Sequence, residues 1–192
     1  MFIKNWKKEV FTIPNLLSLL RLVLIPVYVR IYLNANTPQD YLLSGIILAG
    51  SCLTDLVDGR IARKHHMISN LGKLLDPLAD KITQLAITLC LSLRYQVLKP
   101  VLMLFLIKEL FQLAATIVNL FRGKALAGAL LMGKVCTTVL FVSMILMVIC
   151  PDLPYGMVEG IAILDGAFLA VAFADYIRAF FGRDARVQDL EI

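Results

Sequence analysis

Residues 54–63 read Thr-Asp-Leu-Val-Asp-Gly-Arg-Ile-Ala-Arg, and residues 72–80 read Gly-Lys-Leu-Leu-Asp-Pro-Leu-Ala-Asp. The combined skeleton is D-x2-D-G-x2-A-R-x8-G-x3-D-x3-D, with Asp55, Asp58, Asp76 and Asp80 as its carboxylates. The chain around it is strongly apolar. An ionised carboxylate in hydrocarbon costs about 2.5–3.5 kcal/mol on insertion scales. Four of them in two helically spaced pairs therefore call for a compensating cation. The stretch reads as a divalent-metal site at the edge of a membrane.

The chain has 192 residues, of which 59% are hydrophobic, and its mean hydropathy is +0.81. Soluble domains sit near roughly 45–50% apolar. The excess here is arranged in runs of about 20 residues, the length that crosses a bilayer. The expectation is an all-α integral membrane protein with six transmembrane helices, over 15–33, 41–58, 75–93, 101–121, 130–149 and 157–180. Residues 1–192 read as a single membrane domain, because no polar segment is long enough to fold alone.

Charge distribution gives the orientation. Lys4, Lys7 and Lys8 precede the first span; Arg60, Arg63, Lys64 and Lys73 lie between the second and third; Arg122 and Lys124 follow the fourth; Arg178, Arg183 and Arg186 end the sixth. On the other side, 34–40 and 151–156 carry no Lys or Arg, and 94–99 carries Arg94 and Lys99. The positive-inside rule then puts both termini and the aspartate-rich loop in the cytoplasm. Residues 6–13, with Trp6 and Phe11 among lysines, suit a short interfacial helix. The basic start is followed by no small-residue cleavage site, so no removable signal peptide is expected.

A net charge of +5 is explained by this loop pattern and by attraction to anionic lipid, which leaves no case for nucleic acid as a partner. Cys52, Cys90, Cys136 and Cys150 all lie in apolar runs without paired spacing. They read as small buried hydrophobes rather than disulfides or ligands.

On a helix, residues three or four apart share a face. Asp55 and Asp58 therefore share one face of the second span, and Asp76 and Asp80 one face of the third. A short connection makes these spans antiparallel neighbours, so the carboxylates can converge. All-oxygen ligation suits Mg²⁺ or Mn²⁺, and two ions fit the number of carboxylates. Gly59 and Gly72 let a phosphate or backbone approach closely. Ala62 keeps the same face narrow, and Arg63 offers a planar fork suited to phosphate. Helix-end acids paired with nearby Arg and Lys would explain one or two aspartates, not four at these spacings. Arg21, Lys108 and Lys134 are further cations in apolar surroundings, where a lone charge is costly. They read as a basic pocket for a second phosphate, with internal ion pairing as the alternative.

Position for position, Asp55, Asp58, Gly59, Ala62, Arg63, Gly72, Asp76 and Asp80 resemble the signature of the CDP-alcohol phosphatidyltransferases. Residues 12–21, Thr-Ile-Pro-Asn-Leu-Leu-Ser-Leu-Leu-Arg, look like that family's P-N-x-x-[ST]-x-x-R opening, and Gly133-Lys134 looks like its G-K pair. The resemblance implies transfer of a phosphatidyl group from CDP-diacylglycerol to an alcohol, with release of CMP. It implies that Asp55, Asp58 and Asp76 ligate metal, that Asp80 is the general base and a further ligand, and that Gly59, Ala62, Arg63 and Gly72 bind the CDP moiety. Asp80 is also the deepest of the acids along the third span. Within the family the pattern is most similar to the phosphatidylglycerophosphate synthases, whose acceptor is sn-glycerol 3-phosphate. Two positions depart from them. Cys136 stands where G-K-x-K-T has its second lysine, and Lys108-Glu109 stands where Arg-Glu is usual. The cardiolipin synthases, which take phosphatidylglycerol, share the opening and the L-x-T-D-L-x-D-G start. The resemblance implies a multi-pass protein of the bacterial plasma membrane with its site facing the cytoplasm and lipids and a second copy of the chain as partners. A cation transporter is the reading from a different class. Transporter sites favour the bilayer midplane and internal repeats; here the acids sit at the cytoplasmic end and no repeat is visible.

Overall fold

A computed structural model describes residues 13–64, 72–121, 124–126, 131–181 and 187–189, and the side chains of these except 13–14, 53–64, 72–74, 120, 124–126, 131–132, 134 and 187–189. Six long helices dominate: α1 Ile13–Leu33, α2 Pro38–Lys64, α3 Gly72–Arg94, α4 Lys99–Phe121, α5 Leu131–Ile149 and α6 Tyr155–Phe181. Each expected span falls within, or one residue off, one of these helices. A single 3₁₀ turn, Gln96–Leu98, leads into α4.

Among the described residues, three helical segments are long and apolar enough to cross a membrane: Asn15–Leu33, Gln96–Asn119 and Tyr155–Phe181, with Val135–Ile149 a shorter apolar helix. α2 and α3 carry the motif acids at one end, which shortens their apolar stretches.

The all-α expectation needs one correction. Lys124–Leu126 (β1) pairs antiparallel with Val187–Asp189 (β2), Lys124 opposite Asp189 and Leu126 opposite Val187. Strands of three residues are too short to leave a period-two signature. The helices of the motif also run beyond the expected span ends, since α2 continues to Lys64 and α3 starts at Gly72. Pro77, read from its place two residues into the third expected span as a first-turn proline, is further along the observed helix. It lies in the second turn of α3, where its ring forgoes one intrahelical hydrogen bond. The expected interfacial helix over 6–13 lies outside the described residues.

The start of α2 follows from the sequence Thr37-Pro38-Gln39-Asp40. Asp40 N–H donates to Thr37 Oγ1 at 3.3 Å, and Thr37 N–H donates back to Asp40 Oδ2 at 2.9 Å. This is a reciprocal capping box, with Pro38 in the first helical position, where a missing N–H costs nothing.

The described residues form two compact units: one of residues up to 91 with 145–152, the other of 92–144 with 153 onward. In the first, α1 packs along α2. Tyr28, Tyr32 and Tyr41 stack in sequence, with ring centroids 5.7 and 5.3 Å apart. Gly45 of α2 lies against Ile149, and a Cβ added there would stand 2.9 Å from Ile149 Cγ1. Small residues at such crossings let membrane helices approach closely. In the second unit, α4 packs on α6 through Phe111, which meets Phe173 and Phe180 edge-on. Ser44, Thr83, Thr88, Thr116 and Thr137 donate to carbonyls of their own helices at 2.7–3.0 Å. That satisfies hydroxyls where water is scarce.

Candidate active site

Along α1 a stripe of buried side chains recurs every three or four residues: Asn15, Ser18, Arg21, Ile25, Tyr28, Tyr32. It is polar in its first half and apolar or aromatic in its second. The polar half meets the start of α3. Ser18 Oγ donates to Asp76 Oδ1, and Arg21 Nη1 lies 3.5 Å from Asp80 Oδ1. Asp76 and Asp80, one turn apart, therefore lie on the same face of α3, as the spacing predicts. The contacts also step in the same direction along both helices, which makes α1 and α3 locally parallel. That is the relation expected of a first and a third membrane helix.

Exposure divides the two members of the ion pair. Arg21 is 2% exposed and Asp80 55%. A sealed guanidinium needs an anion nearby, and the carboxylate that faces it is open to solvent. Asp76 is half-buried. Two carboxylates one turn apart, each holding an oxygen against α1, make a hard-oxygen donor set of the kind divalent cations take. The residues present fit such an ion. Among the described residues no three carboxylate, imidazole or thiolate groups converge to hold a metal, since the side chains of Asp55 and Asp58 lie outside them. The backbone places 55, 58, 59, 62 and 63 in the last turns of α2 and Gly72 at the first residue of α3. The side chains of Ala62, Arg63 and Lys134 and the residues His65 and His66 lie outside the described residues.

Lys108 belongs to the second unit. It is buried, its Nζ is 2.6 Å from Glu109 Oε1, and it stands 5.8 Å from the centroid of Tyr176. The ion-pairing alternative thus describes Lys108, with its sequence neighbour as partner. The same ring of Tyr176 covers Gly133, where an added Cβ would lie 3.4 Å from Cε2. None of the four cysteines is in a disulfide. Sequence reasoning quoted Ser18 in the opening motif but gave it no role at the site; the structure sets it against Asp76. Its signal was the three-residue spacing to Arg21 in an apolar run. That reasoning missed a buried pair, Ser143 donating to Asp165 at 2.7 and 2.9 Å, because an isolated aspartate in α6 has no motif around it.

The family model of the CDP-alcohol phosphatidyltransferases matches residues 11–174, which include every motif residue and both helices that hold them. The chain belongs to the CDP-alcohol phosphatidyltransferase family. Among curated relatives of this CDP-alcohol phosphatidyltransferase chain are two CDP-diacylglycerol–glycerol-3-phosphate 3-phosphatidyltransferases. That of Rickettsia bellii is 37% identical over 70 residues, covering 36% of this chain and 38% of the relative. That of Bacillus subtilis is 37% identical over 83 residues, covering 38% and 43%. A cardiolipin synthase (CMP-forming) of Streptomyces coelicolor is 41% identical over 76 residues, covering 38% and 35%. The matched stretches thus span less than half the length of these relatives.

Proposed function

We propose that the chain is a Mg²⁺- or Mn²⁺-dependent phosphatidyltransferase that moves a phosphatidyl group from CDP-diacylglycerol to sn-glycerol 3-phosphate and releases CMP. The observation that carries this reading is the contact of buried Arg21 with half-exposed Asp80 in a chain of this family. A phosphate drawn to Arg21 brings its neighbouring hydroxyl to the carboxylate best placed to take a proton.

Divalent cations held by Asp55, Asp58 and Asp76, with Asp80, would neutralise the donor pyrophosphate and the departing CMP. Gly59, Ala62, Arg63 and Gly72 bind the CDP moiety. Asp80 accepts the proton of the acceptor hydroxyl as its oxygen bonds to the phosphorus bearing the diacylglycerol. The bond from that phosphorus to the bridging oxygen breaks, and CMP leaves with the bridging oxygen. Arg21 and Lys134 serve the acceptor phosphate, while Lys108 stays paired with Glu109. Six membrane crossings, cytoplasmic termini and a site at the cytoplasmic face of a bacterial plasma membrane complete the proposal. The apolar helices and the basic alternate loops support it.

Phosphatidylglycerol as acceptor is the second reading, favoured by Cys136 in place of a lysine and by the likeness to a cardiolipin synthase. Purified protein in nanodiscs, given CDP-diacylglycerol, Mg²⁺ and each acceptor, decides between them by CMP release and product mass. Product with glycerol 3-phosphate is the expected result. Cardiolipin alone would replace it with the second reading, and no CMP with any polyol would overturn both.

A further inference from the structure

We propose that Ser18 is a positioning residue for divalent-cation binding: its hydroxyl takes Oδ1 of Asp76 and turns Oδ2 toward the cation site. The inference rests on the metal-dependent reading above and deepens it. A carboxylate free to rotate offers either oxygen and loses that freedom on binding an ion. A fixed donor on one oxygen removes the choice beforehand. Groups that orient a ligand from behind in this way change metal affinity by about 10–100-fold when removed.

Three observations single out Ser18. It is fully buried, so its hydroxyl is sealed from solvent. Its bond to Asp76 spans 58 residues and joins α1 to α3, whereas Ser44, Thr83 and Thr88 nearby donate to carbonyls of their own helices. Arg21, one turn further along the same stripe, lies against the next carboxylate, Asp80. Ser18 and Arg21 thus set the register of α1 against the Asp76–Asp80 pair. The spacing of the two carboxylates is therefore built before any ion arrives.

The test uses Mn²⁺ alone, titrated into the purified full chain in nanodiscs and followed by electron paramagnetic resonance, with no substrate present. Ser18→Ala is expected to raise the Mn²⁺ Kd by about 10–100-fold. Ser18→Thr, which keeps the hydroxyl, should stay within a few-fold of the parent. Thr88→Ala removes an equally buried hydroxyl from the same unit and should leave the Kd unchanged. A parent that binds Mn²⁺ and a Ser18→Ala variant that binds it equally well would overturn the positioning role and leave the metal reading standing. So would a loss shared by Thr88→Ala, which would make the effect one of packing. A parent that binds no Mn²⁺ would overturn both.

Discussion

Arg21 Nη1 stands 3.5 Å from Asp80 Oδ1, a sealed guanidinium facing a half-exposed carboxylate. The asymmetry matters. A surface pair of this length is worth about 0–1 kcal/mol, so the contact is a weak clamp on Asp80 and a poor reason to bury an arginine. Buried cations in membrane helices are expensive and mark functional sites. Under the proposed function, this contact gives way to the acceptor phosphate.

Asp80→Asn should lower kcat by about 10²–10⁴, the usual contribution of a general base, while donor KM moves little. Asparagine keeps the shape and loses the basicity. Steady-state kinetics with CDP-diacylglycerol check this. A variant close to the parent rate would assign the base to another group.

Chelation should abolish turnover. With EDTA, CMP release is expected to fall to background, and Mg²⁺ or Mn²⁺ to restore it. The motive is the set of four aspartates at one end of two apolar helices. Full activity in chelator would remove the metal from the mechanism.

Much of this was legible from the chain, for physical reasons. Apolar runs gave the places of the six helices, with the motif end of α2 six residues beyond the expected bound. The spacing of Asp76 and Asp80 gave their common face. The contacts of α1 were harder to see. Ser18 stood out only as the Ser/Thr position of the opening motif, and its partner Asp76 appears only in the fold. Lys108 shows the opposite case: its charge was conspicuous, but only the structure supplies Glu109 and Tyr176 as its neighbours. The β1–β2 ribbon left no sequence trace, since pairing of three residues with a segment about sixty residues away is a tertiary event.

The Ser143–Asp165 pair should measure as a modest interhelical link. Such bonds average about 0.6 kcal/mol in membranes, with a maximum near 1.7. Ser143→Ala, which leaves a fully buried carboxyl without its donor, should cost about 1 kcal/mol or more. The double variant Ser143→Ala/Asp165→Ala should cost less than the sum of the two single changes. Unfolding in mixed micelles measures all three. Additive losses would mean the two residues do not interact.

The cap of α2 should respond to acid. Backbone N–H groups of Thr37 and Asn36 hold the Asp40 carboxyl below its usual 3.8, with the Thr37 hydroxyl adding to the effect. A carboxylate whose pKa is depressed on folding stabilises the fold above its unfolded value, and the gain is lost as pH falls through the folded one. Protection of the Asn36 and Thr37 amides from hydrogen exchange, corrected for intrinsic rate, should therefore be flat above pH 5 and decline below 3.8. Asp40→Asn should remove that decline. A decline that persists in Asp40→Asn would trace it to another acid.

Lys134→Ala should raise acceptor KM, or lower kcat/KM for the acceptor, at least tenfold while donor KM stays within about threefold. Lys134 sits in the first turn of α5, beside Gly133 and the ring of Tyr176 that covers it. A lysine in a membrane helix is costly without an anion, and the proposed function supplies the acceptor phosphate. Arg21→Gln should show the same acceptor-selective loss, because Arg21 can exchange Asp80 for a phosphate. The pair of variants separates the two acceptors. Glycerol 3-phosphate carries a dianion and should suffer from both. Phosphatidylglycerol carries a single negative charge shared across a diester and should suffer less from each. Equal losses for donor and acceptor in both variants would mean that these cations support the helices rather than the acceptor.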